Sequence, residues 1–162
     1  MAGLRSCRQW SDEPIEVLML PVMVAAMDAG RRPRRERPID RLAGRKLEYV
    51  RLGHVVVLNF SGGLQVLIET PARLTGPGGR FDVEPGEKPS DVLAMLLGDV
   101  VTAARATDAG ELRIAFGSGS ELSVGVDVDF ESWAVAGPGG LLIVCLAGGE
   151  LAVWGEAGRA RD

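Results

Sequence analysis

Glycine-rich turns divide the chain from Gly44 onward into short apolar runs, and this pattern limits the fold more than any other feature. The run from His54 to Phe60 is rich in β-branched residues, Ser61-Gly62-Gly63 follows it, and a second run extends from Leu64 to Thr70. Two such runs around a glycine-rich turn are typical of a β-hairpin. The sequence therefore predicts a mainly β, antiparallel domain, α+β at most.

The pattern that begins at Gly44 returns after Gly98, with Phe60 and Phe116 in matching positions and Leu64-Gln65-Val66 matching Leu122-Ser123-Val124. We predict two three-stranded antiparallel meanders that pack as a pseudo-symmetric pair, with both phenylalanines facing inward. Two units are too few for a solenoid.

The remaining segments of the domain are assigned from local signals. A hairpin is expected to close it, with strands Leu141 to Leu146 and Glu150 to Trp154 around Ala147-Gly148-Gly149. Ser90 is a typical N-cap residue, so one short helix is expected around residues 90–97. Prolines and glycines in residues 71–89 predict a surface loop.

Three regions follow from composition. Residues 1–38 form an N-terminal extension, residues 39–155 the β-rich domain, and residues 156–162 a solvated tail. The extension contains the apolar segment Ile15 to Met27, which is too short to span a membrane as a helix. An amphipathic helix is expected there, and a targeting signal or a later start codon are the alternatives. The Arg- and Pro-rich stretch 31–38 is interpreted as a linker.

The net charge of −4 conceals a division of charge along the chain. Residues 1–53 carry 11 basic and 7 acidic side chains, whereas residues 54–162 carry 7 basic and 15 acidic ones. An acidic body repels phosphate backbones, so nucleic acid is not an expected partner of the folded domain. Cys7 and Cys145 lie too far apart in the chain to suggest a disulfide framework, so a cytoplasmic location is expected.

The C-terminal third resembles the signature of an uncharacterised family of small actinobacterial proteins, which reads YEAWEL, GP and then VCLPGGELAVW. The matching segments here are Phe130-Glu131-Ser132-Trp133, Gly137-Pro138, Val144-Cys145-Leu146 and Gly148-Gly149-Glu150-Leu151-Ala152-Val153-Trp154. Phe130 stands where the family has Tyr, and Ala147 where it has a turn Pro. The upstream pieces LAGR, LNFSGGLQVLIE and LRIAF are also similar to that family, so the resemblance covers about residues 39–155. It implies a domain boundary and a fold, and no activity.

Three carboxylates, those of Asp127, Asp129 and Glu131, alternate along a predicted strand and would project from one face. With Trp133 they form the protein-binding patch that we predict. A solvated strand face is the structural alternative. A calcium site is less favoured, since no Asp/Asn-Gly ligand loop accompanies the acids. Core packing is the favoured interpretation for Trp154 and for Trp133 as well, although Trp133, which precedes the loop of residues 137–140, is the better candidate for partial exposure.

No catalytic, cofactor-binding or metal-binding residue is assigned, and no cofactor is expected. A nucleophilic pair of Cys145 and His54 is disfavoured, because a cysteine in mid-strand has nothing to expose and activate it. The run Gly117-Ser118-Gly119-Ser120 lacks a Walker lysine and a following helix, so a hairpin turn explains it better than a phosphate loop.

The function remains unknown at this level, and three hypotheses are open. The favoured one is a non-enzymatic acidic module that binds a basic protein partner, for example an immunity-type protein that neutralises a toxin. A small-molecule-binding protein or an enzyme with a site assembled from dispersed residues is the second. A scaffold or oligomerisation domain is the third. The domain is expected to be a monomer or a homodimer without a membrane span.

Overall fold

Two antiparallel sheets contain all eleven strands of residues 37–86 and 91–155, which are the residues that this computed structural model describes. The strands are β1 (Leu47–Arg51), β2 (Val56–Phe60), β3 (Leu64–Ile68), β4 (Ala72–Gly76), β5 (Gly79–Val83), β6 (Val101–Ala106), β7 (Leu112–Phe116), β8 (Glu121–Val124), β9 (Trp133–Gly137), β10 (Leu141–Cys145) and β11 (Leu151–Trp154). Sheet 1 has the order β1-β2-β3-β9-β10-β11, and sheet 2 the order β5-β4-β8-β7-β6. The predicted mainly β, antiparallel fold is confirmed.

Helical structure in the described ranges is limited to five 3-10 turns, and none is long and apolar enough to span a membrane. They are Pro38–Leu42, Ser61–Gly63, Asp91–Leu96, Pro138–Gly140 and Ala147–Gly149. The short helix expected around residues 90–97 is thus the 3-10 turn Asp91–Leu96, which buries Leu93 and Leu96. The expected N-terminal helix, residues 31–36 of the linker and the tail of residues 156–162 lie outside the described residues. The last two linker residues, Arg37 and Pro38, are the N-cap and the first residue of the 3-10 turn Pro38–Leu42.

The hydrophobic core lies between the sheets, where alternate residues of most strands face inward, and β11 adds no buried residue to it. Leu64, Val66 and Ile68 of β3 are almost fully buried, while Gln65 between them is exposed. Sheet 2 contributes Leu112, Ile114 and Phe116 of β7 and similar sets from its other strands. Period-two alternation of this kind fixes the register, because a slip of one residue would turn every apolar side chain outward.

One stacked aromatic pair joins the two sheets. Phe60 at the end of β2 and Phe116 at the end of β7 have ring centroids 6.5 Å apart and planes inclined by 22°. Both rings are buried, as predicted. Phe60 pairs across sheet 1 with Leu47, and Phe116 pairs across sheet 2 with Val101.

Two three-stranded meanders are present, β1-β2-β3 in sheet 1 and β6-β7-β8 in sheet 2. In each, the register shifts immediately after the residue that faces the phenylalanine. The third strands do not match the predicted alignment. Leu122 pairs with Ile114 in sheet 2, and the corresponding residue of sheet 1, which pairs with Leu58, is Val66 and not Leu64. An internal repeat stays a prediction.

Residues 72–83 form the hairpin β4-β5 instead of the predicted surface loop. The prediction failed because the prolines and glycines of this stretch mark only its turns. Between them, Ala72, Leu74 and Val83 are buried. Pairing of β4 with β8 in sheet 2 and burial of this apolar alternation in the core outweigh the turn signals.

The outer faces of the two sheets differ in polarity. Sheet 2 carries ion pairs there, between Arg73 and Asp82 at 3.4 Å and between Arg113 and Glu121 at 3.6 Å. The outer face of sheet 1 has many apolar residues, since those that alternate with its core positions include Val57, Leu67, Leu142, Val144 and Trp154, although Asn59 and Gln65 lie on this face too. Sheet 2 therefore has the polarity of a sheet solvated on one side, whereas the outer face of sheet 1 is mixed, polar at Asn59 and Gln65 and apolar along β10.

We expect the phenylalanine stack to be a major source of stability. Phe116→Ala should lower the free energy of unfolding by about 3–5 kcal/mol, because it removes a buried ring and leaves a cavity between the sheets. In a double-mutant cycle with Phe60→Ala, the coupling should be about 0.5–1.5 kcal/mol. Denaturant unfolding measures both quantities. The control is Phe130→Ala, since Phe130 is 71% exposed and its loss should change stability by less than about 0.5 kcal/mol. Additive losses for the pair would show that the stack contributes nothing beyond burial.

Candidate functional site

The three candidate carboxylates lie in the loop of residues 125–132, which joins β8 to β9 and which we name the acidic loop. The prediction that they share one face of a strand is wrong. The side chain of Asp127 accepts hydrogen bonds from the backbone N–H groups of Asp129 at 2.8 Å and Phe130 at 3.2 Å. A side chain that bonds to the backbone in this way favours a turn over an extended strand.

The base of the acidic loop is fixed by Ser132, which is fully buried. Its hydroxyl accepts a hydrogen bond from the backbone N–H of Asp127 at 2.8 Å. Its own N–H donates to the carbonyl of Cys145 at 3.1 Å, and its carbonyl accepts from the N–H of Glu69 at 2.9 Å. Gly148 adds a bond to the carbonyl of Asp127 at 2.9 Å. The base is thereby attached to β10, to the end of β3 and to the turn Ala147–Gly149.

The tip of the loop, residues 128–131, projects two large apolar side chains between acids. Val128 is 78% exposed and Phe130 is 71% exposed, the highest values among the large hydrophobic residues that the structure describes. Asp129 and Glu131 are exposed beside them. Because a single exposed hydrophobic residue is ordinary and adjacent ones are less so, this tip is the best candidate for a contact surface.

Trp133 does not belong to that surface, which corrects the predicted patch. Its side chain is only 1% exposed, and its indole N–H donates to the carbonyl of Gly110 at 2.9 Å. Register explains this position, since Trp133 pairs with Ile68 on one side and Cys145 on the other, both core residues. Trp154 shows the opposite correction. Expected in the core, it is 52% exposed at the end of β11.

Phe130 is therefore the aromatic residue that sequence reasoning missed. It lies outside every strand, so no alternation marks it as inward or outward. The only available signal was its position between two acids, Asp129 and Glu131, where a buried ring would have required burial of charge.

Beneath the acidic loop, Gly110 and Gly149 meet backbone to backbone. A Cβ on Gly149 would overlap the carbonyl oxygen of Ala109, and one on Gly110 would overlap the carbonyl of Gly149. The Gly110 carbonyl accepts from the Trp133 indole and also from the Cys145 thiol at 3.4 Å. This contact holds the turn Ala147–Gly149 against residues 107–111, and the base of the loop rests on both.

The other sequence-level candidates are not assembled into sites. Cys145 is fully buried, and burial raises the pKa of its thiol, the reverse of what an activated nucleophile needs. His54 is exposed. In the turn between β7 and β8, the N–H of Ser118 donates to the Asp99 carboxylate at 3.3 Å. Hydrogen bonding, most of all from the Ser118 side chain, lowers the pKa of Asp99. A carboxylate therefore already occupies the position that a phosphate would take.

One open cleft of about 490 Å³ lies beside the outer face of sheet 2. Its charged lining consists of Arg73, Asp82, Glu84 and Glu111, and two of these acids are already paired with arginines. Small-molecule sites are usually enclosed and mostly apolar, so this cleft is a weak candidate. Across residues 37–86 and 91–155, no three metal-ligating side chains lie close enough to hold an ion.

We expect Gly149→Ala to destabilise the domain more than Gly148→Ala. Both glycines have positive φ, 98° and 84°, so either alanine costs about 1–2 kcal/mol in backbone strain. Only at Gly149 must the new Cβ also displace the backbone of Ala109, whereas Gly148 has nothing within 4 Å. The additional loss should be about 1–3 kcal/mol in the free energy of unfolding. Equal losses for the two variants would contradict the close approach.

Cys145 should make stability depend on pH above neutrality. Burial raises the pKa of this thiol from its ordinary value of 9.0. Above that value the unfolded chain loses the proton while the folded chain keeps it, so the free energy of unfolding falls as pH rises. Denaturant unfolding of the wild type and Cys145→Ala, compared between about pH 8 and pH 10, should show a steeper fall in the wild type. Parallel curves would contradict a raised pKa.

Comparison with known proteins identifies the family and nothing more specific. Neither the curated proteins nor the solved structures include a match to the chain. The matching family model spans residues 38–155, which include all the strands that the structure describes and the acidic loop. The chain belongs to this family, described as a family of unknown function (DUF6188).

Proposed function

We propose that this chain is a non-enzymatic protein-binding module, and that the tip of its acidic loop is the contact surface. The observation that carries the proposal is the exposure of Val128 and Phe130, 78% and 71%, between the carboxylates of Asp127, Asp129 and Glu131. A basic protein with an apolar pocket is the partner that fits this chemistry.

The apolar pair supplies affinity. Full burial of a side chain such as Phe or Val in a partner's pocket contributes about 1.5–3 kcal/mol. Aromatic residues at the centre of an interface are frequent hot spots. The hydrogen bonds of Ser132 and Asp127 hold the loop base in place, so less conformational entropy is lost on binding.

The acids supply orientation and speed of association. Residues 37–155 carry 15 acidic and 10 basic side chains, a net charge of −5. Exposed Glu69, Asp108 and Glu150 lie in segments next to the loop base, which concentrates negative charge at this end of the domain. Complementary charge steers a basic partner toward such a surface and suppresses wrong partners.

A finer form of the proposal is an immunity-type protein that neutralises a toxin, such as a basic nuclease, in the cytoplasm. Small size, an acidic domain and an exposed apolar tip support it. A ligand-binding or enzymatic role at the cleft beside Arg73 is less favoured, since the cleft is open and its acids are paired.

The test uses the full chain as bait in lysate of its native host, followed by titration calorimetry with the purified partner. Phe130→Ala should weaken binding by about 30-fold or more, the equivalent of a 2 kcal/mol hot spot. Asp129→Asn with Glu131→Gln should slow association and reduce its salt dependence. Met95→Ala and Asp82→Asn are the controls, since both residues are exposed elsewhere.

Binding that Phe130→Ala leaves intact would refute the loop tip as the contact surface. A folded protein that retains no partner from the lysate would refute the module itself and direct attention to the cleft. The immunity-type hypothesis requires a further result. A toxin encoded beside this gene must bind the wild-type protein, and it must bind the Phe130→Ala variant more weakly.

A further inference from the structure

The two sheets end in four edge strands, and three of them carry features that discourage pairing with another chain. Charged side chains lie on β1 (Glu48, Arg51), on β5 (Arg80, Asp82) and on β6 (Arg105). The registers of β1 and β6 also contain an irregularity. Charges and bulges on an edge strand are the usual protection against edge-to-edge association.

The fourth edge, β11, has neither feature. Its residues are Leu151, Ala152, Val153 and Trp154, and its register with β10 is regular. Leu151, Val153 and Trp154 are 37%, 46% and 52% exposed. An uncharged, regular and apolar edge is open to pairing with a further strand.

The hydrogen bonds of β10 show which backbone groups of β11 face outward. Leu146 donates its N–H to the Glu150 carbonyl, and Cys145 directs its carbonyl to Ser132 on the opposite side. Hydrogen-bonded and non-bonded pairs alternate in an antiparallel ladder, so Ala152 and Trp154 bond to β10. The N–H and C=O groups of Leu151 and Val153 therefore point to the open edge.

We propose that β11 pairs antiparallel with β11 of a second copy of this chain, which extends sheet 1 into a twelve-stranded sheet across a two-fold axis. In the register that uses every outward N–H and C=O group, Leu151 faces Val153 of the second copy, and Val153 faces Leu151 of the second copy. Ala152 then lies opposite its own equivalent on the axis, at a non-hydrogen-bonded pair.

A second copy fits this edge for two reasons. Leu151 and Val153, one on each side of Ala152, each direct an N–H and a C=O to the open edge. Two identical strands related by a two-fold axis therefore form hydrogen bonds with all of these groups. Charge does not oppose the approach, although the chain has a net charge of −4, because β11 itself is uncharged. Glu150, the nearest acid, would face Trp154 of the other copy, which keeps the two glutamates at opposite ends of the contact.

The proposal is tested by disulfide trapping in the full chain with Cys7→Ser, so that buried Cys145 is the only remaining native thiol. Ala152→Cys should form a covalent dimer under mild oxidation, because facing Cα atoms of a non-hydrogen-bonded pair lie about 4.5 Å apart. Val153→Cys is the matched control. Its Cα lies diagonally, about 7–8 Å from its equivalent, beyond the reach of a disulfide.

Two readouts on the chain without new cysteines complete the test. Sedimentation should show a mass that doubles with rising protein concentration, and Val153→Pro should keep the mass of one chain. Proline at position 153 removes only an N–H that points to the open edge, so thermal unfolding should remain cooperative. The amides of Leu151 and Val153 should exchange hydrogen more slowly as the dimer forms.

Equal trapping of both cysteine variants would overturn the register. A dimer that Ala152→Cys does not trap would overturn β11 as its interface. A single chain at every concentration would overturn the proposal: with slow exchange at Leu151 and Val153 it would mean that the edge is occupied within one chain, and with fast exchange that the edge stays open.

Discussion

The contact between the two sheets is the interaction on which the rest of the molecule depends, and the stack of Phe60 on Phe116 lies at its centre. Each ring ends the middle strand of a meander, so the stack fixes how the two meanders face each other. The inward residues of the other strands then continue the core on both sides. A domain of this size has one such core, and the loops are positioned by the strands that it holds.

The fold could be predicted from the sequence where alternation and glycine turns agree. The hairpins β2-β3 and β10-β11 have apolar runs on both sides of a glycine pair, and both were found from that pattern. The hairpin β4-β5 was missed because its turn residues, Pro77 and Gly78, lie among other prolines and glycines that mark irregular chain. The predicted alignment of Leu64 with Leu122 is wrong by two residues, because the sequence alone does not show how long each turn is.

The candidate site could be predicted only in part, because some of its interactions join neighbouring residues and others join residues that are far apart in the chain. The three acids were selected because they alternate along an expected strand, whereas the structure places them in one loop. The loop is held by a local hydrogen bond that the Asp127 carboxylate accepts from the N–H of Asp129, and by the anchor at Ser132, which bonds to distant strands. Only the first of these depends on neighbouring residues alone. The burial of Trp133 depends on Gly110, which lies 23 residues away in the chain. The spacing of these two residues in the sequence does not indicate that they are in contact.

The contact between Gly110 and Gly149 also separates what can vary in this protein from what cannot. Any side chain at either glycine would push two backbone segments apart, so neither glycine can be replaced without a loss of stability. Residues 128–131 meet no such constraint, because their side chains touch little besides solvent. Mutation can therefore alter the chemistry of the tip at almost no cost to folding. A lineage could in this way acquire new recognition properties on an unchanged support, most freely at Val128 and Asp129, because positions 130 and 131 belong to the signature that the chain shares with the family it resembles.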